Sequence, residues 1–127
     1  MDQQTPNFAT TYPSIVGKVL TDVRGQRGMQ QKDMASAVGI TQATWSRIES
    51  GQTSVTLEHL RSAAQTFGML PSQLLAIADQ SELEAQFRGV TVVETKSVPE
   101  LHPGLALLAG AALGMFVAYG LMKANSA

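Results

Sequence analysis

From Ser14 to Ala78 the apolar residues fall three and four apart, which places them on single faces of short helices. Val16, Leu20 and Val23 mark a first helix over about Ser14–Gln26, and Met29 fills the gap between it and the next. Gly25 weakens the end of that helix by ~1 kcal/mol relative to Ala. Met34, Ala35 and Val38 line one side of a second helix, Gln31–Val38, which stops at Gly39. Thr41 then caps a third helix, because its side-chain oxygen can accept an amide that the first turn leaves unpaired. On the third helix Trp45, Ile48, Glu49 and Gln52 share the inward face, and Gly51 supplies the stop. Thr56 caps a fourth, Leu57–Phe67, with Leu57, Leu60, Ala64 and Phe67 inward and Gly68 at its end. Pro71 opens a fifth with Leu74, Leu75 and Ala78 inward, which Ser81 to Phe87 could extend. The pattern predicts an all-α bundle of five helices around Trp45, Ile48, Leu60 and Phe67.

The flanks read differently. Residues 1–12 have no periodicity and are expected to be a flexible arm, ahead of a helical domain over 13–79. Residues 80–103 form a linker that includes a β-type run, Val90–Val93, too short for a sheet of its own; it is either plain linker or a strand that pairs with a second subunit. Pro99 and Pro103-Gly104 mark a boundary before an apolar segment, 104–123. Gly104–Met122 has nineteen residues without a charge, and as a helix at ~1.5 Å per residue it would span ~28 Å, near the thickness of a bilayer core. Ala106, Gly110, Gly114 and Ala118 recur every fourth residue, a small stripe along which two helices can pack closely. The rest of that surface is Leu, Met, Phe and Val with no polar face, unlike a soluble amphipathic helix. Membrane lipid is therefore an expected partner and a tail anchor the expected role. The competing expectation is a helix buried in a soluble oligomer.

The third helix carries the candidate chemistry. Opposite its bulky face lie Gln42, Ala43, Ser46, Arg47 and Ser50. Short side chains allow close approach to a DNA major groove, and Gln, Ser and Arg can reach base edges. The second helix ends at a glycine that permits a sharp turn into the third, and Ala35 is small where the two must cross. This is the helix-turn-helix arrangement.

Net charge is −1, which does not by itself suggest a nucleic-acid binder. Its distribution does: Pro13–Ala78 has six basic and four acidic residues, whereas from Asp79 onward three basic residues face five acidic ones. The bias is modest, so tight binding calls for a second copy. The absence of cysteine excludes a disulfide framework and suits a reducing cytoplasm. His59, expected to be an exposed helical residue, and His102 lie in different segments without partners at ligand spacing. No metal or cofactor is expected. Gly17-Lys18 lacks the flanking residues of a phosphate-binding loop, and no nucleophile elbow or paired-carboxylate arrangement appears, so an enzyme is not expected.

The residues Gln31, Ala35, Gly39, Ser46, Arg47, Ile48, Glu49 and Gly51 stand at the spacing of the Xre/Cro-type family of phage and bacterial repressors, which the sequence resembles over about Val16–Ala78. The resemblance implies a five-helix lambda-repressor-like domain that binds double-stranded DNA as a homodimer in the cytoplasm. It also implies a structural pair between Arg24 and Glu49. On this reading Gln42, Ala43, Thr44, Ser46 and Arg47 face the groove: Gln42 suits adenine, Arg47 suits guanine or a phosphate, and Ala43 suits a thymine methyl. Gln31, at the start of the second helix, is expected to hold a phosphate, with Lys32, Thr53 and Ser54 as further phosphate contacts. The need to reach DNA places the head in the cytoplasm and the apolar segment in the inner membrane; the alternative is a wholly cytoplasmic protein. The plan also resembles the RodZ type of bacterial cell-shape protein, in which a helix-turn-helix head on a membrane helix binds a cytoskeletal protein. That type carries a longer basic juxtamembrane region, where this sequence has Glu94, Lys96 and Glu100.

Overall fold

A computed structural model describes residues 7–100 and 105–107 of the chain. Five α-helices follow a short strand: β1 (Asn7–Thr11), α1 (Tyr12–Gln26), α2 (Gln31–Val38), α3 (Gln42–Glu49), α4 (Leu57–Phe67) and α5 (Pro71–Phe87). After α5 come β2 (Val90–Val93), a 3-10 turn over Thr95–Glu100, and β3 (Leu105–Leu107). Each early helix has a local reason to begin where it does. Thr11, Thr41 and Thr56 accept the backbone amides of Ser14, Thr44 and His59, and Pro71 fills the first position of α5, where its missing N–H costs nothing.

The core is one cluster. Ile15, Val19, Leu20 and Val23 of α1 meet Met34 and Ala35 of α2, Trp45 and Ile48 of α3, Leu60, Ala63, Ala64 and Phe67 of α4, and Leu74, Ile77 and Ala78 of α5. α1 lies against α3 and α5, and α2 against α3 and α4. Leu57 departs from the expected pattern: it opens α4 at the bundle's edge and is 81% exposed. In α5, Leu75 is only half-buried, and Ile77 takes a place in the core.

The residues on either side of the bundle form a parallel three-stranded sheet in the order β2-β1-β3. β1 pairs Phe8 with Val90 and Thr11 with Val93 on one side, and Asn7 with Leu105 and Ala9 with Leu107 on the other. Three expectations are corrected here. The flexible arm is, from Asn7, the central strand, with Ala9, Thr10 and Thr11 buried, and Tyr12 already belongs to α1. Val90–Val93 is a strand, but its partner is β1 of the same chain rather than a linker's solvent or a second subunit. The apolar segment expected to be helical is a strand over Leu105–Leu107, which pairs with the edge of β1 that β2 leaves open. Ala106 therefore stands opposite Phe8 in the sheet, not in a stripe between helices. Gly110, Gly114 and Ala118 lie outside the described residues. Among the described residues no helix is long and apolar enough to cross a membrane.

Candidate nucleic-acid interface

Glu49, the last residue of α3, fixes the geometry. It is buried, and its carboxylate accepts four hydrogen bonds: Arg24 Nε at 2.6 Å, Arg24 Nη2 at 3.1 Å, Gln31 Nε2 at 2.8 Å and the indole N–H of Trp45 at 2.6 Å. Arg24 also donates to the carbonyl of Met29 at 2.9 Å. One carboxylate thus ties α1, the start of α2 and the inner face of α3 together, and Arg24 adds the loop before α2. The Arg24–Glu49 pair stands where the resemblance placed it. The contributions of Gln31 and Trp45 were not read from sequence.

The close approach of α1 to α3 depends on Gly17 and Gly51. A Cβ on Gly17 would collide with the backbone carbonyls of Ile48 and Glu49, and one on Gly51 would meet Ser14. Gly51 in addition has φ +82°, a left-handed conformation that side chains disfavour. In the sequence Gly17 stands out only beside Lys18, in a pair that lacks the flanking residues of a phosphate-binding loop. An isolated glycine inside a helical pattern was the available signal of close backbone contact.

The turn between α2 and α3 is compact. Gly39 takes φ +86°, its amide and that of Ile40 both reach the Ala35 carbonyl, and Thr41 caps α3 two residues later. With Trp45, Ile48 and Glu49 inward, Gln42, Ala43 and Arg47 are exposed, and Thr44 and Ser46 are half-buried along the edges of the same face. The Thr44 hydroxyl accepts from Thr41 at 2.9 Å and from Arg47 Nη2 at 3.4 Å. Thr44 therefore positions Arg47 as much as it faces outward. Gln52, expected on the inward face, is exposed because the helix ends at Glu49 and the chain turns at Gly51.

The proposed phosphate contacts are unequal. Lys32, Thr53 and Ser54 are exposed. The amides of Gln52 and Thr53 are taken by the Arg47 carbonyl, so the loop after α3 is held and presents side chains rather than backbone. The Gln31 side chain donates inward to Glu49, and the Asp33 carboxylate caps α2 by accepting the Gln30 amide at 3.0 Å. Gln31 is thus first a structural residue, drawn inward by the buried carboxylate. His59, expected to be exposed, is half-buried beside Val38 and Ser62.

An outward face of Gln, Ala, Ser and Arg on the second of two helices crossing at a glycine turn defines a helix-turn-helix protein. Residues 15–76 match the family model of the helix-turn-helix domain. The chain is 34% identical over 96 residues to the HTH-type transcriptional regulator DdrOP3 of Deinococcus deserti, across 75% of this chain and 65% of the relative. It thus spans just under two thirds of that relative's length. Its fold is similar to that of the clp gene regulator ClgR from Corynebacterium glutamicum, with TM-score 0.57, 24% identity and coverage of 61% of this chain and 83% of ClgR. A second ClgR structure gives TM-score 0.53 at 24% identity, covering 55% of this chain and 91% of that one.

Proposed function

We propose that the chain is a transcriptional regulator of the Xre/Cro type that binds double-stranded DNA sequence-specifically as a homodimer. The observation that carries this reading is the outward face of α3: Gln42, Ala43 and Arg47 are exposed on a helix whose other side is locked by the Glu49 network. Rigid presentation matters because a bidentate base contact depends on the angle at which the helix enters the groove. Lys32, Thr53 and Ser54 flank that face as phosphate contacts, which set register without reading sequence. The need for a second copy follows from the short α3 and the small basic excess. The regulatory role of DdrOP3 supports the same reading.

The head works from the cytoplasm, tethered to the inner membrane through the uncharged run that ends at Met122. Selection of bound fragments from random and genomic double-stranded DNA tests the function. Enrichment of one sequence motif is expected; no enrichment, together with capture of a protein partner by the same head, would favour an adaptor. Fractionation tests the tether: the full chain is expected with the membrane fraction, and loss of residues 104–127 should release it.

A further inference from the structure

β1 runs straight into α1 with no residue between them, and one side chain makes the junction. Thr11 is the last position of β1 to pair, opposite Val93 of β2, and it is also the residue that caps α1. Both duties need the same extended backbone, which Thr11 has at φ −122° and ψ 158°. Its buried hydroxyl oxygen accepts the Ser14 amide at 3.2 Å, and its proton goes to the Ser14 hydroxyl at 3.1 Å. The first bond is an ordinary helix cap. The second is not needed for capping, and it fixes where the Ser14 hydroxyl stands. That hydroxyl, on a buried residue, lies against Gly51, in the space that a Cβ at Gly51 would fill.

At Gly51 the chain leaves α3 for Gln52, Thr53 and Ser54, which are exposed. The amides of Gln52 and Thr53 reach back to the Arg47 carbonyl, and Val55 beyond them packs on the core. The loop is thus held at the end of α3, at Val55 and, from the side of α1, at Ser14. We infer that Thr11 is a positioning residue for DNA binding: through Ser14 and Gly51 it fixes the loop that carries Thr53 and Ser54, and so couples the sheet to the DNA-facing side of the bundle. This rests on the reading of Thr53 and Ser54 as phosphate contacts and adds to it the buried residues that place them. Placement matters because a hydroxyl–oxygen hydrogen bond holds only over about 2.5–3.0 Å, so a small displacement of the loop forfeits it. Phosphate contacts carry no base information, and such a displacement weakens binding to every sequence alike.

The test is a mutant cycle on the full chain, read as affinity at low salt for two duplexes, an operator obtained by selection and an unrelated sequence. Ser14→Ala keeps the amide that Thr11 caps and removes only the hydroxyl against Gly51; Thr11→Val removes both bonds. Each should weaken binding to both duplexes by a similar factor, up to roughly tenfold for a hydrogen bond to a charged group, and leave the ratio between the duplexes unchanged. Thr11→Ser should bind as the parent does. In a chain already carrying Thr53→Ala and Ser54→Ala, Thr11→Val and Ser14→Ala should have no further effect, since they act through those two side chains. Circular dichroism at the binding temperature checks that each variant is folded, and Ser14→Ala decides the matter if Thr11→Val is not. Unchanged affinity in Ser14→Ala would overturn the inference, as would a loss of the same size with and without Thr53 and Ser54. A Thr53→Ala, Ser54→Ala chain that binds both duplexes as tightly as the parent would overturn the phosphate contacts and the inference with them. Failure of the parent to bind either duplex would overturn the proposed function itself, and the inference with it.

Discussion

At the scale of single residues, stability is concentrated where α3 ends. Replacing Glu49 by Ala leaves Arg24 without its carboxylate and the Trp45 indole N–H without an acceptor, both in a largely dry setting. Breaking such a buried pair costs ~3–5 kcal/mol, a large share of the ~5–15 kcal/mol by which domains are usually stable. Urea unfolding of Glu49→Ala should show a loss of that size, and a midpoint equal to the parent's would mean that the network contributes nothing. Gly17 gives a second case in which two effects oppose each other. Alanine is favoured over glycine inside a helix by ~1 kcal/mol, but here its Cβ would lie 2.5 Å from the Glu49 carbonyl oxygen and push α1 off α3. Overpacking of this kind typically costs ~1–3 kcal/mol, and a backbone carbonyl cannot turn aside as a side chain can. Gly17→Ala should therefore lower the melting temperature, and a rise would show that the helices have room to separate.

Among the elements, α1 and α5 are joined by a contact that no sequence pattern advertised: the Tyr12 hydroxyl donates to Asp79 at 2.6 Å. Burial raises the tyrosine's pKa above its ordinary value near 10, and the hydrogen bond and negative charge of Asp79, with Glu82 beyond it, raise it further. Because the folded value exceeds the unfolded one, this contribution to stability is complete below about pH 10 and fades as the pH climbs through the folded value. The parent should lose stability in strong alkali more steeply than Tyr12→Phe, and parallel pH curves would show that the contact carries no linkage. The helices themselves were legible because each is specified locally, by apolar spacing, a capping threonine and a closing glycine. α2 and α4 were read to the residue, and the outward positions Gln42, Ala43 and Arg47 followed from the phase set by Trp45 and Ile48. β1 was not legible. Asn7-Phe8-Ala9-Thr10-Thr11 has no alternation of apolar and polar residues, and becomes a strand only because Val90–Val93, some eighty positions away, pairs with it. Leu105–Leu107 is ambiguous in sequence for a related reason: a run of apolar residues suits a helix or a buried strand equally, and the open edge of β1 decides. Gln31 escaped because a side chain at the start of a helix looks solvent-facing until the carboxylate it serves is placed beside it.

For the molecule as a whole, the proposed function depends on one face of one short helix carried on a helical bundle. Two copies are expected to sit on half-sites about one helical turn apart, ~34 Å centre to centre, the spacing of this motif class. Footprinting on a selected operator should show both half-sites protected together, and full affinity on a single half-site would remove the need for a dimer. The central claim is that the exposed side chains of α3 read sequence while its buried ones hold the fold. It is tested most directly by measuring operator affinity against thermal stability for Gln42→Ala and Arg47→Ala. Each good bidentate base contact contributes ~1–3 kcal/mol of discrimination. Both variants are therefore expected to melt with the parent while losing specific binding to the operator, with weak non-specific binding left over. Operator affinity unchanged in both variants would contradict the account, since the face that α3 presents would then not be the one that meets DNA.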